Sequence, residues 1–332
     1  TVGMSLPAVF GTDVPKGNYA DLTTKGFELS VSWRDQFQLA SKPFNYEVRF
    51  TLADYQSTID KYNNPEKKLG DDYYYEGMKV GEIWGYETEG FFTSQADIDS
   101  HAKQPYFYAG ATAGQWLPGD IKFKDLNGDG VIDYGNNTVD NPGDQKIIGN
   151  SEPRFIYGIN LSGDWNNFFV SAFFQGVGKQ DWWPGSEASY FWGMYNRPYN
   201  DMPKSHLGNI WTEENPNTYF PRLRGYSSEE PYAELNLKQT RYLQNIAYIR
   251  MKNIQLGYTL PKSFISKLRM QNAKVYVSGE NLWSWSPFYK YSKDLDVEAV
   301  RGSDRDLTEG TSGNGYSYPI LKSVSFGLSV TF

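Results

Sequence analysis

Cysteine is absent from this 332-residue sequence, which excludes a disulfide framework, a thiolate zinc site and a cysteine nucleophile. Histidine is nearly absent. His101 and His206 are the only two, too isolated for a histidine-rich metal or acid–base centre, and each is expected at the surface or in a loop. Positive charge is not in excess: 32 Lys and Arg stand against 39 Asp and Glu, a net charge of −7. A nucleic-acid partner, which needs a basic face, is therefore not expected. Long apolar runs are missing too, and none approaches the roughly 18 residues of a membrane helix. The beginning, TVGMSLPAVFG, lacks the basic start and apolar core of a signal peptide. Either one was removed, or the chain is part of something longer.

Aromatic residues are what the sequence has in quantity: 17% Phe, Trp and Tyr, with 26 Tyr and 10 Trp. In a chain that is polar on average, such a content fits two classes. One is a secreted glycan-binding β-protein. The other is an outer-membrane barrel, whose strands are apolar only at alternate positions.

Period-two alternation runs through the chain. Phe27, Leu29, Val31 and Trp33 interleave with Glu28, Ser30, Ser32 and Arg34. Phe44, Tyr46, Val48, Phe50 and Leu52 interleave with Asn45, Glu47, Arg49 and Thr51. Phe155–Leu161, Phe168–Gln175, Ile249–Thr259, Ala273–Glu280 and Val324–Phe332 continue the pattern. About seven strands result, mostly of the roughly 9–11 residues that a tilted membrane-crossing strand needs. A β-sandwich also alternates. Charges within the wet face (Glu28, Arg34, Glu47, Arg49) and aromatics ending the oily face (Trp33, Phe37, Phe44, Trp165) favour a barrel with a water-filled lumen and an interfacial girdle.

The connections alternate in length. Gln38–Pro43 and Gly163–Asn167 are brief, whereas 58–153, 178–245 and 286–318 are long. Short periplasmic turns and long extracellular loops give this asymmetry. Counting strand directions back from a periplasmic C-terminus puts every long loop outside and every short turn inside. The longer inner connection Leu260–Asn272 contains LPKSFISKLRM, which reads as a short helix after Pro261. Seven strands do not close a bacterial single-chain barrel, which takes an even number of at least eight. Thr1–Gly11 is a candidate for one more strand, but partner strands upstream are the stronger expectation, making this a C-terminal portion. The terminal Phe332 suits outer-membrane assembly.

With these residues in place, the chain resembles the SusC/RagA family of TonB-dependent outer-membrane transporters of Bacteroidetes. The resemblance spans essentially all 332 residues, as the C-terminal third or so of the family's length. It is carried in order by YADLTTKGFELSVSWRD (19–35), GEIWGYETEGFF (81–92), GDIKFKDLNGDGVID (119–133) and IIGNSEPRFIYGINLSGDW (147–165), then by IWTEENPNTYFPRL (210–223) and IRMKNIQLGYTLPKSFISKLRMQNAKVYVSGENLW (249–283). The resemblance implies a 22-stranded barrel with an N-terminal plug, a SusD-type lipoprotein as a hinged lid, and energy supplied through TonB. It also implies a glycan or peptide cargo. The plug and TonB box lie outside this sequence, so gating and energy coupling attach to none of its residues.

DLNGDGVID (125–133) matches the front half of an EF-type calcium loop. Calcium wants six to eight hard oxygens, supplied here at positions 1, 3, 5, 7 and 9. Those positions are Asp125, Asn127, Asp129, the Val131 carbonyl and Asp133, with Gly130 at the sharp turn. Position twelve is Asn136, not an acid. The resemblance offers Asp144 as the closing ligand, with Asp140 as its rival. A structural calcium would order the loop 58–153; a solvated Asp/Asn/Gly turn is the alternative.

Aromatics crowd the expected external loops: Tyr73, Tyr74, Tyr75, Trp84, Tyr106 and Tyr108, then Trp182, Trp183, Tyr190, Phe191, Trp192 and Tyr195. Trp182, Trp183, Tyr190 and Trp192 are candidates for substrate contact, and equally for loop core or girdle. Glu213 and Glu214 invite a glycosidase reading, but adjacent side chains in an extended chain point apart, and no catalytic residue is assigned. Two functions stay open: a section of an importer of oligosaccharides or peptides, or a secreted calcium-stabilised β-sandwich that binds or cleaves glycans.

Overall fold

The computed structural model describes residues 20–70, 73–105, 116–186, 188–197, 199–229, 233–300 and 318–332, together with 2–3 and 16–17. In chain order its strands are β1 (Val2–Gly3), β2 (Lys16–Gly17), β3 (Asp21–Leu39), β4 (Lys42–Lys61), β5 (Glu82–Tyr86), β6 (Thr88–Phe91), β7 (Ile121–Phe123) and β8 (Gln145–Asn150). There follow β9 (Arg154–Trp165), β10 (Phe168–Lys179), β11 (Asp181–Trp182), β12 (Gln244–Asn245), β13 (Tyr248–Thr259), β14 (Asn272–Trp285) and β15 (Ser323–Thr331). Short helices α1 (Gln95–Ser100), α2 (Ser189–Trp192) and α3 (Lys262–Ile265) punctuate them. Apart from residues 2–3, the strand considered over 1–11 lies outside the described residues, as do Tyr106 and Tyr108.

Seven strands form one antiparallel sheet in the order β15-β14-β13-β10-β9-β4-β3. These are the seven that alternation marked. Their register turns sequence period into two chemically distinct faces. One row crosses all seven strands as Trp33–Val48–Leu161–Ala172–Ile254–Gly279–Val324. The adjacent row reads Arg34–Glu47–Ser162–Ser171–Gln255–Ser278–Ser325. Successive side chains point to opposite faces of a strand, so the apolar row and the polar row lie on opposite sides of the sheet.

Among the described residues, nothing packs over the apolar face. Trp33 is 62% exposed, Leu328 67% and Phe326 87%. A β-sandwich would bury such a face against a second sheet about 10 Å away. The sandwich alternative is overturned on this point: the buried core of the chain lies in the loops. At the end of the sheet carrying the short turns, Phe37, Phe44, Trp165, Phe168 and Tyr258 share one row. The Phe37 and Phe44 rings lie 5.0 Å apart and those of Phe168 and Tyr258 4.7 Å apart. This is an aromatic girdle. Trp33 is not part of it. It sits four residues further along β3, roughly 13 Å at strand rise, because a girdle is defined by register across strands and not by where aromatics fall within one.

The short turns have a local cause. Ala40 and Ser41 have φ of 50° and 65°, Asn166 and Asn167 φ of 48° and 70°. Positive φ at both central residues gives the two-residue turn whose twist matches flanking strands. The third connection at this end contains α3 behind Pro261, as expected. All three long connections leave the opposite end. β4 runs on to Lys61 and β15 begins only at Ser323, so the loops span 62–153, 180–247 and 286–322.

Candidate functional site

The three long loops pack on one another into a cap with its own aromatic core. Tyr86, Phe123 and Ile132 come from the first loop, Trp192, Phe220 and Tyr242 from the second, Phe288 and Leu295 from the third. Phe191 meets Trp192 edge-on at 4.8 Å, Trp192 meets Tyr242 at 5.2 Å, and Tyr219 stacks on Tyr291 at 4.3 Å. Offset and edge-to-face pairs each add about 0.5–1.5 kcal/mol beyond the area they bury. Backbone bonds stitch the first two loops: Tyr86 N–H donates to the Lys238 carbonyl at 2.8 Å, and Thr240 N–H to the Tyr86 carbonyl at 3.0 Å. Gly85 makes this approach feasible, since a Cβ there would lie 2.4 Å from the Lys238 carbonyl oxygen.

This core decides where the aromatic candidates stand. Trp182 is 5% exposed and Trp192 0%, so both are interior residues of the cap. Trp183 packs half-buried against the same core. Tyr190 presents its ring outward, 54% exposed. Tertiary packing, invisible in a tally of loop aromatics, separates these four. His206, expected in a loop or at the surface, lies in the loop but buried, its ring 4.1 Å from Phe220 and its Nε2 2.9 Å from the Phe191 carbonyl. Glu213 and Glu214 are exposed on a turn.

The loop 125–133 is organised by its own side chains. Asp125 accepts from Gly128 N–H at 2.6 Å and Gly130 N–H at 2.9 Å. Asp129 accepts from Val131 N–H at 2.8 Å, and Asp133 from Gly135 N–H at 2.7 Å. Gly128 and Gly130 take φ of 77° and 86°, which side chains rarely adopt. Asp144 is fully buried and spans the loop: one oxygen accepts Leu126 N–H at 2.7 Å, the other Asp133 N–H at 2.8 Å. Its rival Asp140 is exposed. Asn127 bonds Asp129 in both directions, through its side-chain amide at 3.0 Å and by accepting the Asp129 N–H at 2.9 Å. Among the described residues, no three acidic or histidine side chains converge as a ready metal cage.

Two charged clusters escaped the sequence reading. Buried Asp120 takes a forked contact from Arg222 at 2.6 and 3.1 Å and a third from Arg224 at 3.2 Å. Beside it Glu234 is wholly buried, accepting the Ile121 N–H at 2.8 Å through one oxygen. Burial first, and the Asp120 charge second, push the Glu234 carboxyl up to about 8. In the third loop, Asp296 receives Arg250 at 2.6 Å and Glu298 receives Lys252 at 2.5 Å, anchoring that loop to β13. Contacts between residues tens to a hundred positions apart leave no spacing signal in one sequence.

No family model matches the chain. TonB-dependent receptor P3 of Formosa agariphila is 26% identical over 345 residues, covering 98% of this chain and 30% of the relative. TonB-dependent receptor P26 of the same organism is 26% identical over 346 residues, covering 99% and 31%. The chain thus spans about 30% of the length of these curated relatives. Among solved structures, the RagAB peptide importer in its open-open state matches with a TM-score of 0.63 at 18% identity, over 100% of this chain and 31% of that one. The RagAB peptide transporter matches at 0.65 and 17%, over 98% and 31%. At such identities these two matches speak for the fold.

Proposed function

Since this chain belongs to the TonB-dependent receptors, β-barrel proteins of the bacterial outer membrane, we propose that it forms a section of the wall and external cap of an importer. The cargo is an oligosaccharide or a peptide, passed in with the help of a SusD-type surface lipoprotein and energised through TonB. The observation that carries this reading is the register. One face offers apolar rows that suit lipid, the other offers a polar row from Arg34 to Ser325 that suits a wet passage. The fold likeness to the RagAB peptide importer supports a lipoprotein partner and keeps peptides in view. The chemistry is passage and not catalysis, in keeping with a transporter family.

Deleting the gene of the complete receptor tests the reading. Growth on either oligosaccharides or oligopeptides as sole source should fail and return on complementation, and a lipoprotein should co-purify in detergent. Unchanged growth on both substrate classes, with no lipoprotein captured, would refute it.

Within the same proposal the loop 125–133 takes calcium as a structural ion. The donor chemistry supports this. Asp125, Asn127, Asp129, Asp133 and Asp144 bring side-chain oxygens and Val131 a carbonyl, all hard ligands of the kind calcium prefers. Asp144 bonds both ends of the loop, whereas Asp140 is exposed. The ion would neutralise the carboxylates gathered in this short segment and fix the loop beside the cap core.

A further inference from the structure

Between the first and second loops lies a pocket of about 340 Å³ that none of the residues discussed as substrate candidates touches. Part of its lining is apolar and buried: Leu69, Tyr75 and Met78 are 4%, 6% and 8% exposed. Tyr75 is locked in place, its hydroxyl donating to Glu82 and accepting the Trp84 indole N–H at 3.3 Å. At the mouth stand the rings of Tyr73 and Tyr134, 47% and 45% exposed. Polar groups line the remaining wall. Asn137 donates to the Leu69 carbonyl at 3.0 Å and meets Gln145 at 3.5 Å, while the half-buried Asn236 comes from the other loop.

The size lies within the roughly 300–1,000 Å³ range of small-ligand pockets, and the lining narrows the class. Aromatic faces are electron-rich and meet the weakly positive C–H face of a pyranose. Carboxamides both donate and accept, as hydroxyl groups do. Among the described lining residues, the charged ones are Glu82 and Lys238, and both are committed: Glu82 already accepts the Tyr75 hydroxyl and the Lys79 N–H at 3.1 Å, and Lys238 has an interaction of its own. Among the described residues, no arginine lines the pocket to grip a carboxylate or phosphate. We infer that this pocket is a binding subsite for an uncharged pyranose ring, with Tyr73 and Tyr134 as stacking platforms and Asn236 and Gln145 meeting hydroxyls. The inference rests on the importer reading and selects glycan over peptide as the class held at this place.

The two loops make the pocket jointly, through the Tyr86–Lys238 and Thr240–Tyr86 backbone bonds. A sugar held there would bridge them, so binding and cap order are linked. Saturation-transfer NMR on the complete receptor in detergent tests the inference. The probes are the methyl glycosides of glucose, galactose, mannose and xylose, with capped tripeptides in parallel. At least one glycoside should receive saturation at its ring C–H protons. Tyr134→Ala and Asn236→Ala should each weaken that binding tenfold or more, while Tyr199→Ala, at an exposed ring elsewhere, should not. Absence of transfer to all four glycosides, capture of peptides alone at the pocket, or wild-type affinity in Asn236→Ala overturns it. Asn236→Ala decides the matter if Tyr134→Ala fails to fold. Growth that still depends on the receptor while the pocket variants bind normally would sink the subsite and leave the importer standing.

Discussion

His206 is enclosed by Tyr195, Phe220 and the Phe191 carbonyl, and burial holds its imidazole below the ordinary histidine value. The unfolded chain takes up a proton near pH 6.5, which the packed cap does not. Stability is thus complete above that pH and falls as the pH drops through the folded value. Glu234 works in the opposite direction. Its carboxyl is pushed up to about 8, so its contribution is complete at low pH and is lost as the pH rises toward 8. Tryptophan-fluorescence melting of the cap should show both slopes, and Glu234→Gln should flatten the one between pH 6 and 8. An unaltered alkaline slope in that variant would contradict the assignment. At Asp129, substitution by Ala removes an oxygen and the acceptor for Val131 N–H. Proteolysis within 62–153 should rise while the barrel persists, and chelation should have the same effect on the native protein. Equal cleavage with and without chelator would remove calcium from the account.

Among the elements, the strands were the most legible. Alternation is a local property, and register only carries it across the sheet: Val170, Leu256, Val277 and Phe326 fall in one row because each already stood in the apolar phase of its own strand. Phe326→Arg should therefore lower the amount of receptor in the outer membrane, since a cation at mid-bilayer on a lipid face costs about 2–4 kcal/mol. Ser325→Arg, one residue away on the polar row with Ser278, should be tolerated. Similar abundance of the two variants would undo the assignment of faces. Trp33 shows the limit of reading a strand by itself. Its place relative to the girdle depends on four other strands, β4, β9, β10 and β13, that its own sequence does not mention.

In the whole molecule, the described sheet has two outer edges, along β3 and β15. In hydrocarbon, unpaired N–H and C=O groups cost several kcal/mol each, so only a closed barrel persists. The chain accounts for about 30% of its relatives' length. Produced by itself, it should aggregate and show no heat-dependent shift on gels, whereas the complete receptor should show one. A shifting, membrane-inserted product from this segment alone would mean that seven strands close without help.

The sequence by itself determined the seven strands, their two faces, the short turns and the oxygen-rich loop, because each follows from side-chain spacing over a few residues. Only the tertiary structure decided which aromatics are buried. Trp192 disappears into the cap and Tyr190, two residues away, does not. It also decided that Asp120 meets Arg222 across 102 residues, and that Asn236 joins Tyr73 around one pocket. Such contacts arise where loops of different strands fold over the same end of a sheet, and a periodic pattern ends where the strand does.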